Sequence, residues 1–303
     1  MSFGPRGGEV PGVVVGDRIL PLGALAAELG LPPHAAPREL LPVLDRVAER
    51  LESAVERFGD DLVPLAGARL GPPVVDPPNI FVCGANYHAH LREVGRFDDE
   101  SKLPTLPVVV FQKPLSALSG PYDPIVRPPE TECLDYEAEL AVVIGKGGRR
   151  ISAQDAPGHI AGYMISNDVS TRDLGVGESR KLNSAALIQL MRAKGWDTFL
   201  PTGPWLVTAD EAGPFGAIRL QLSVNGEPRQ DGFASEMHRS PFELIEWLSA
   251  TTTLRPGDII TTGTPTGVAA GMKPPKWLAP GDVVRIEMTG LSVMETPVAG
   301  EAI

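Results

Sequence analysis

Apolar residues in this chain recur at two periods, and the change from one to the other marks out its parts. Between Val13 and Leu20, two short β-branched runs flank Gly16-Asp17, which predicts a hairpin because glycine and aspartate accept the backbone of a tight turn. Further on, Leu40, Leu44, Val47, Leu51, Val55 and Phe58 follow at intervals of three and four, with Glu49, Arg50, Glu52, Glu56 and Arg57 between them. That spacing lays the apolar set along one stripe of an amphipathic helix. Pro42 is expected in its first turn, where a missing N–H costs little. The double prolines of GARLGPPVVDPPN, residues 67–79, then hold the chain extended. They set an expected boundary between a small N-terminal α+β domain, 1–75, and a larger domain, 76–303. Beyond it the apolar runs shorten to strand length: Ile80–Gly84, Val108–Phe111, Leu140–Ile144, Ile218–Val224, Asp258–Thr262 and Val283–Met288. One helix stands out among them, Pro241–Ser249, with Ser240 as its cap, Pro241 at its first position and Glu243 completing a capping box.

Composition sharpens this into a β-rich, turn-rich α+β fold. Glycine and proline make up 64 of 303 residues, 33 and 31 respectively, well above ordinary usage. The two cysteines, Cys83 and Cys133, fit a reducing cytoplasm and are expected as packing rather than as a disulfide framework. MSFGPRGGEV lacks the basic stretch and apolar run of a signal peptide, and no apolar segment approaches the roughly 20 residues that span a bilayer, so a soluble cytoplasmic protein is expected. Acidic residues outnumber basic ones 38 to 27, a net charge of −11, which repels nucleic acid and anionic membranes. A small molecule is the expected partner, and an anionic one would depend on local lysines.

The chemistry concentrates in a few short segments. In DYEAELAVVIG, residues 135–145, Glu137 and Glu139 stand two apart at the head of a strand and share a face. Side-by-side carboxylates repel unless a cation or proton lies between them, and hard oxygen donors suit magnesium, manganese or calcium; a solvated strand face is the plainer reading. Asp168 ends another apolar strand, AGYMISND, and could bring a third carboxylate to the same place, though alone it would pass for an Asx turn or helix cap. In GANYHAHLREVG, His90 and Glu93 are three apart, on one face of a helical turn. A carboxylate bonded to one imidazole nitrogen fixes its tautomer and raises its basicity, against the plainer reading of a surface ion pair. His88 is weaker, and His34, His159 and His238 have no comparable neighbour. Lys113 in VVVFQKP and Lys194 in MRAKGWDTFLPTGPW could neutralise a carboxylate or enolate, although most lysines are merely solvated. TTGTPTGV, residues 261–268, offers hydroxyls and exposed amides, Gly263 and Thr264 among them, for gripping a carboxylate, or is a simple turn. There is no Walker loop, GxGxxG after a strand, GxSxG elbow, HExxH or paired CxxC, which removes support for nucleotide, zinc-protease and serine-hydrolase chemistry.

Taken in order, NYHAHLRE, FQKP, DYEAELAVVIG, ISNDVSTRD, AKGWDTFLPTGPW and TTGTPTGV resemble the fumarylacetoacetate hydrolase superfamily, particularly its smaller acylpyruvase-like members of the fumarylpyruvate hydrolase and 2-hydroxyhepta-2,4-diene-1,7-dioate isomerase type. The resemblance covers roughly residues 79–290. It implies a rolled mixed β-sheet, a cytoplasmic homodimer, a role in aromatic catabolism and Mg²⁺ (or Mn²⁺) as cofactor. It maps the metal carboxylates onto Glu137, Glu139 and Asp168, the lid histidine and glutamate onto His90 and Glu93, the active-site lysine onto Lys194 and the carboxylate-gripping threonine onto Thr264; Gly263 and Lys113 join Thr264 as expected substrate contacts. Two departures stand out. Gly175 occupies a position where many relatives carry glutamine, and no fourth acidic ligand precedes the lid as in the larger animal-type fumarylacetoacetases, which argues against fumarylacetoacetate itself.

The expected reaction is hydrolysis of a carbon–carbon bond in an acylpyruvate-like 2,4-dioxo acid, with His90 and Glu93 activating water and a metal and Lys194 stabilising the departing pyruvate enolate. A 2-oxo acid decarboxylase or a 2-hydroxydienoate isomerase would use the same enolate, with the lid from Arg92 to Pro107 deciding whether water enters. A catalytically silent metal-binding protein is the remote alternative.

Overall fold

A computed structural model describes residues 1–32, 35–95, 107–174 and 191–302; His34, Gly175 and most of the lid lie outside them. The hairpin forms as its sequence dictates. Val10–Val15 and Arg18–Pro21 pair antiparallel around Gly16, inside a five-stranded sheet closed by Ser2–Phe3, Val63–Pro64 and Leu70–Gly71. The helix Leu44–Arg57 packs Val47, Ala54 and Leu51 against Leu20, Leu25 and Leu29. Pro42 is not in its first turn. It lies in a separate 3₁₀ turn, Leu41–Val43, because Val43 leaves helical geometry and the α-helix starts afresh behind it.

The larger architecture is a curled mixed sheet of seven strands, in the order Val109–Gln112, Ile80–Gly84, Ile259–Thr261, Ala138–Ile144, Ile160–Asn167, Leu200–Thr208 and Leu118–Ser119. Two of its pairings are parallel and the rest antiparallel. A second sheet of five strands runs Glu227–Phe233, Arg219–Val224, Val283–Met288, Ser292–Gly300 and Ile125–Arg127. At the centre, Ala138–Ile144 is buried on both faces, so its run is apolar without alternation. Leu140, Val142 and Ile144 pack towards Leu220, Leu222, Ile286 and the helix residues Leu244, Ile245 and Leu248. Ala141 and Val143 meet Met164, Ile259 and Val74 on the other side.

The helix Pro241–Thr251 carries its capping box: Ser240 Oγ accepts from the Glu243 amide, and the Glu243 carboxylate accepts from the Ser240 amide at 2.7 Å. Cys83 is buried, Cys133 is half-buried, and neither is in a disulfide. Among the described residues no helix is long and apolar enough to cross a membrane.

Candidate active site

Four strand ends converge on one cleft. The parallel pairing of Ile80–Gly84 with Ile259–Thr261 brings Gly84, Ala85 and Asn86 beside Gly263 and Thr264. The antiparallel pairing of Ala138 with Asn167 sets Glu137 and Glu139 next to Asp168, and all of these border the cleft. Glu137, Glu139 and Asp168 are buried and each offers an oxygen within 4.8 Å of the others. Backbone geometry enforces this: the Asp168 amide donates to the Glu137 carbonyl at 2.9 Å, and Asn167 Oδ1 accepts from the Glu137 amide at 3.0 Å.

Three cations surround the trio. Lys194 Nζ donates to Glu137 Oε2 at 2.6 Å and to Asp168 Oδ2. Arg172 bridges Glu137 and Asp135, and Asp135 also accepts from the Ala269 amide at 2.8 Å. Lys113, expected to contact substrate, does not line the cleft. Its ammonium lies behind Asp168, with Asp168 Oδ1 at 2.9 Å, the Val169 carbonyl at 3.0 Å and the Phe199 carbonyl at 2.6 Å. Two carbonyl hydrogen bonds and the ion pair hold it on the far side of the carboxylate wall from the cleft. Burial brings the Lys113 ammonium down to about 8 in spite of Asp168.

The charges in this buried group do not balance. Asp135, Glu137, Glu139 and Asp168 face Lys113, Lys194 and Arg172, four carboxylates against three cations. Glu139 is the carboxylate without an ion pair among these contacts, and burial, reinforced by the negative charges of Asp168 and Glu137, pushes it up to about 8. Burial would raise Glu137 too, but Lys194 and Arg172 outweigh it and hold that carboxyl well below its ordinary value. A surplus of buried negative charge on hard oxygen donors fits a divalent cation of the magnesium or manganese kind.

Gly263 and Thr264 border the cleft, the first through an engaged amide and the second through an engaged hydroxyl. The Gly263 amide donates to Glu139 Oε2 at 2.9 Å, and the Thr264 hydroxyl donates to the Ala138 carbonyl at 2.9 Å while accepting from Gln230 at 2.8 Å. The Gly263 amide and the Thr264 hydroxyl thus brace the carboxylate wall. His90 stands at the cleft on the short helix His88–Glu93. Its Nδ1 lies 3.7 Å from Glu93 Oε2, beyond hydrogen-bond range, and has no hydrogen-bond partner among the described residues. Glu93 instead accepts from the Gly267 amide at 2.9 Å. His88 stacks on His238 at 4.3 Å between ring centroids, and His159 lies elsewhere, on the Lys146 carbonyl.

Sequence reasoning missed Asp135, Arg172 and Asn86. Asp135 had a usable signal, the two-residue spacing that continues Glu137 and Glu139. Arg172, four residues past Asp168, and Asn86, whose side chain joins the Thr262 and Arg239 backbones, show their value only once separate elements are brought together.

A curled mixed β-sheet with buried carboxylates and ammonium groups converging at its strand ends defines an enzyme site of the divalent-cation type. The profile of Fumarylacetoacetate (FAA) hydrolase C-terminal matches residues 79–299, and the chain belongs to that family. It is 42% identical over 222 residues to oxaloacetate tautomerase FAHD2A, mitochondrial, of Bos taurus, covering 73% of this chain and 67% of that protein. A probable 2-hydroxyhepta-2,4-diene-1,7-dioate isomerase from Mycobacterium abscessus superposes with a TM-score of 0.78 at 35% identity, covering 100% of this chain and 98% of the other. Maleylpyruvate hydrolase from Sphingobium sp. SYK-6, in complex with manganese(II) and pyruvate, superposes with a TM-score of 0.76 at 32% identity over 100% of both chains.

Proposed function

We propose that this enzyme interconverts the enol and keto forms of a short 2-oxo dicarboxylic acid of the oxaloacetate kind, with Mg²⁺ or Mn²⁺ held by Glu137, Glu139 and Asp168. The observation that carries the reading is the division of labour in the cleft: the carboxylate wall is fixed by cations and amides, whereas the nearby His90 Nδ1 has no hydrogen bond among the described residues. When bound there, a divalent ion supplies Lewis acidity towards the oxygen on which enolate charge develops. Lys194 adds positive charge at the same wall and Arg172 holds Glu137 in place. His90 carries the proton to and from the carbon beside the ketone, a transfer that needs one base and no activated water. The 42% identity to an oxaloacetate tautomerase supports this choice.

A second reading, hydrolysis of an acylpyruvate, is favoured by the end-to-end match to maleylpyruvate hydrolase. It requires Glu93 to leave the Gly267 amide and close on His90, making a pair able to deprotonate water. A single assay separates the two. Metal-loaded protein should accelerate ketonisation of enol-oxaloacetate, followed by ultraviolet absorbance, without releasing pyruvate from maleylpyruvate or other acylpyruvates. Pyruvate release with no effect on ketonisation would replace the first reading by the second.

A further inference from the structure

Thr198 stands four residues past Lys194 and immediately before the carbonyl that receives Lys113. Its φ is +67°, in the left-handed region that a β-branched residue enters at a cost of about 1–3 kcal/mol. Among the described residues three other non-glycine residues have positive φ: Asn225, at an Asn-Gly hairpin turn that suits it, Arg150, exposed, and Ala85, beside the cleft. Thr198 is buried, and its surroundings over-determine it. Its Oγ1 accepts from the Val126 amide at 2.8 Å, its carbonyl from Ser119 Oγ at 3.3 Å, and its amide donates to the Ser116 carbonyl at 3.3 Å.

What this strain achieves lies one residue on. The Phe199 carbonyl accepts from Lys113 Nζ at 2.6 Å and from the Val169 amide at 3.1 Å. Lys113 in turn grips Asp168 Oδ1, while Lys194, on the helical residues just before the turn, grips Asp168 Oδ2. Both oxygens of one carboxylate are thus oriented through the segment that Thr198 bends.

We propose that Thr198 is a positioning residue for the metal centre: its hydroxyl, locked to Val126, holds a strained turn that aims Lys113 and Lys194 at Asp168. The inference rests on the reading of Glu137, Glu139 and Asp168 as metal ligands.

The test is calorimetric titration of manganese chloride alone into metal-stripped protein, alongside circular dichroism and melting. Thr198→Val keeps the shape and loses the hydroxyl; it should remain folded and bind manganese 10- to 100-fold more weakly, the range typical for supports of metal ligands. Thr198→Ser restores the hydroxyl and should return binding to within threefold of the parent. If the valine variant does not fold, Thr198→Ala, which removes the hydroxyl without β-branching at a positive φ, should weaken manganese in the same direction. A folded valine or alanine variant that binds manganese as tightly as the parent overturns the proposal, because a residue needed only for folding would lower the melting temperature and leave affinity unchanged. If the parent protein itself binds no manganese, the metal reading fails and this inference with it.

Discussion

The two sides of the cleft are built differently. On one, Glu137, Glu139 and Asp168 project from the end of a doubly covered sheet and are pinned by Lys113, Lys194, Arg172 and the Gly263 amide. On the other, His90 rides a six-residue helix, and its neighbour Glu93 is attached to a loop instead of to the imidazole. On the proposed function, preorganisation is placed where charge is held, and freedom is left where a proton moves. The contrast predicts that damage to the first side removes binding and turnover together, whereas damage to the second removes turnover alone.

The largest effect is expected from Glu139→Ala, which should abolish measurable manganese binding in calorimetry and, with it, activity on 2-oxo acids; retained binding would show that the rigid side is not the metal side. His90→Ala should lower kcat by about 10²- to 10⁴-fold with manganese affinity unchanged, and a loss of affinity would erase the contrast. Gly267→Ala sets a methyl 1.9 Å from the Arg229 carbonyl at a backbone φ of +104°. It should destabilise the fold by about 2 kcal/mol or more in chemical denaturation and loosen Glu93.

pH offers a finer probe of the rigid side. Glu139 sits near 8 when folded, above its ordinary 4.5, so folding favours its protonated form. This group's contribution to metal-free stability is therefore present below 4.5 and is lost as pH rises to about 8. Metal binding needs the carboxylate, so manganese affinity should climb by up to about tenfold per pH unit below 8; a flat profile would remove Glu139 from the ligand set. The smallest effect is expected at Ala85, with φ +60°, where glycine should stabilise the protein by roughly 0.5 kcal/mol and leave kcat within twofold.

Much of this could be read from residue order because the relevant signals are local. Ile80–Gly84 and Val283–Met288 are uninterrupted apolar or alternating runs, and the Ser240–Glu243 box is four residues long. Leu200–Thr208 carries two prolines and a glycine, and Glu227–Phe233 is mostly polar. Their partners in the sheets, not their own pattern, make them strands. The same division runs through the cleft. Glu137 and Glu139 announce themselves by spacing, but the fate of Lys113, Gly263 and Thr264 depends on acceptors 56 to 126 positions away along the chain, and no local pattern encodes that approach.

One loop has an outsized place in the result. Within seven residues it supplies an amide to Glu139 from Gly263, an amide to Glu93 from Gly267 and an amide to Asp135 from Ala269. On the proposed function, any length change there would disturb metal grip, proton transfer and scaffold at once. Val109 and Phe111 border the same cleft without joining this network, so mutational libraries aimed at new substrates would do best to vary those walls and freeze the loop.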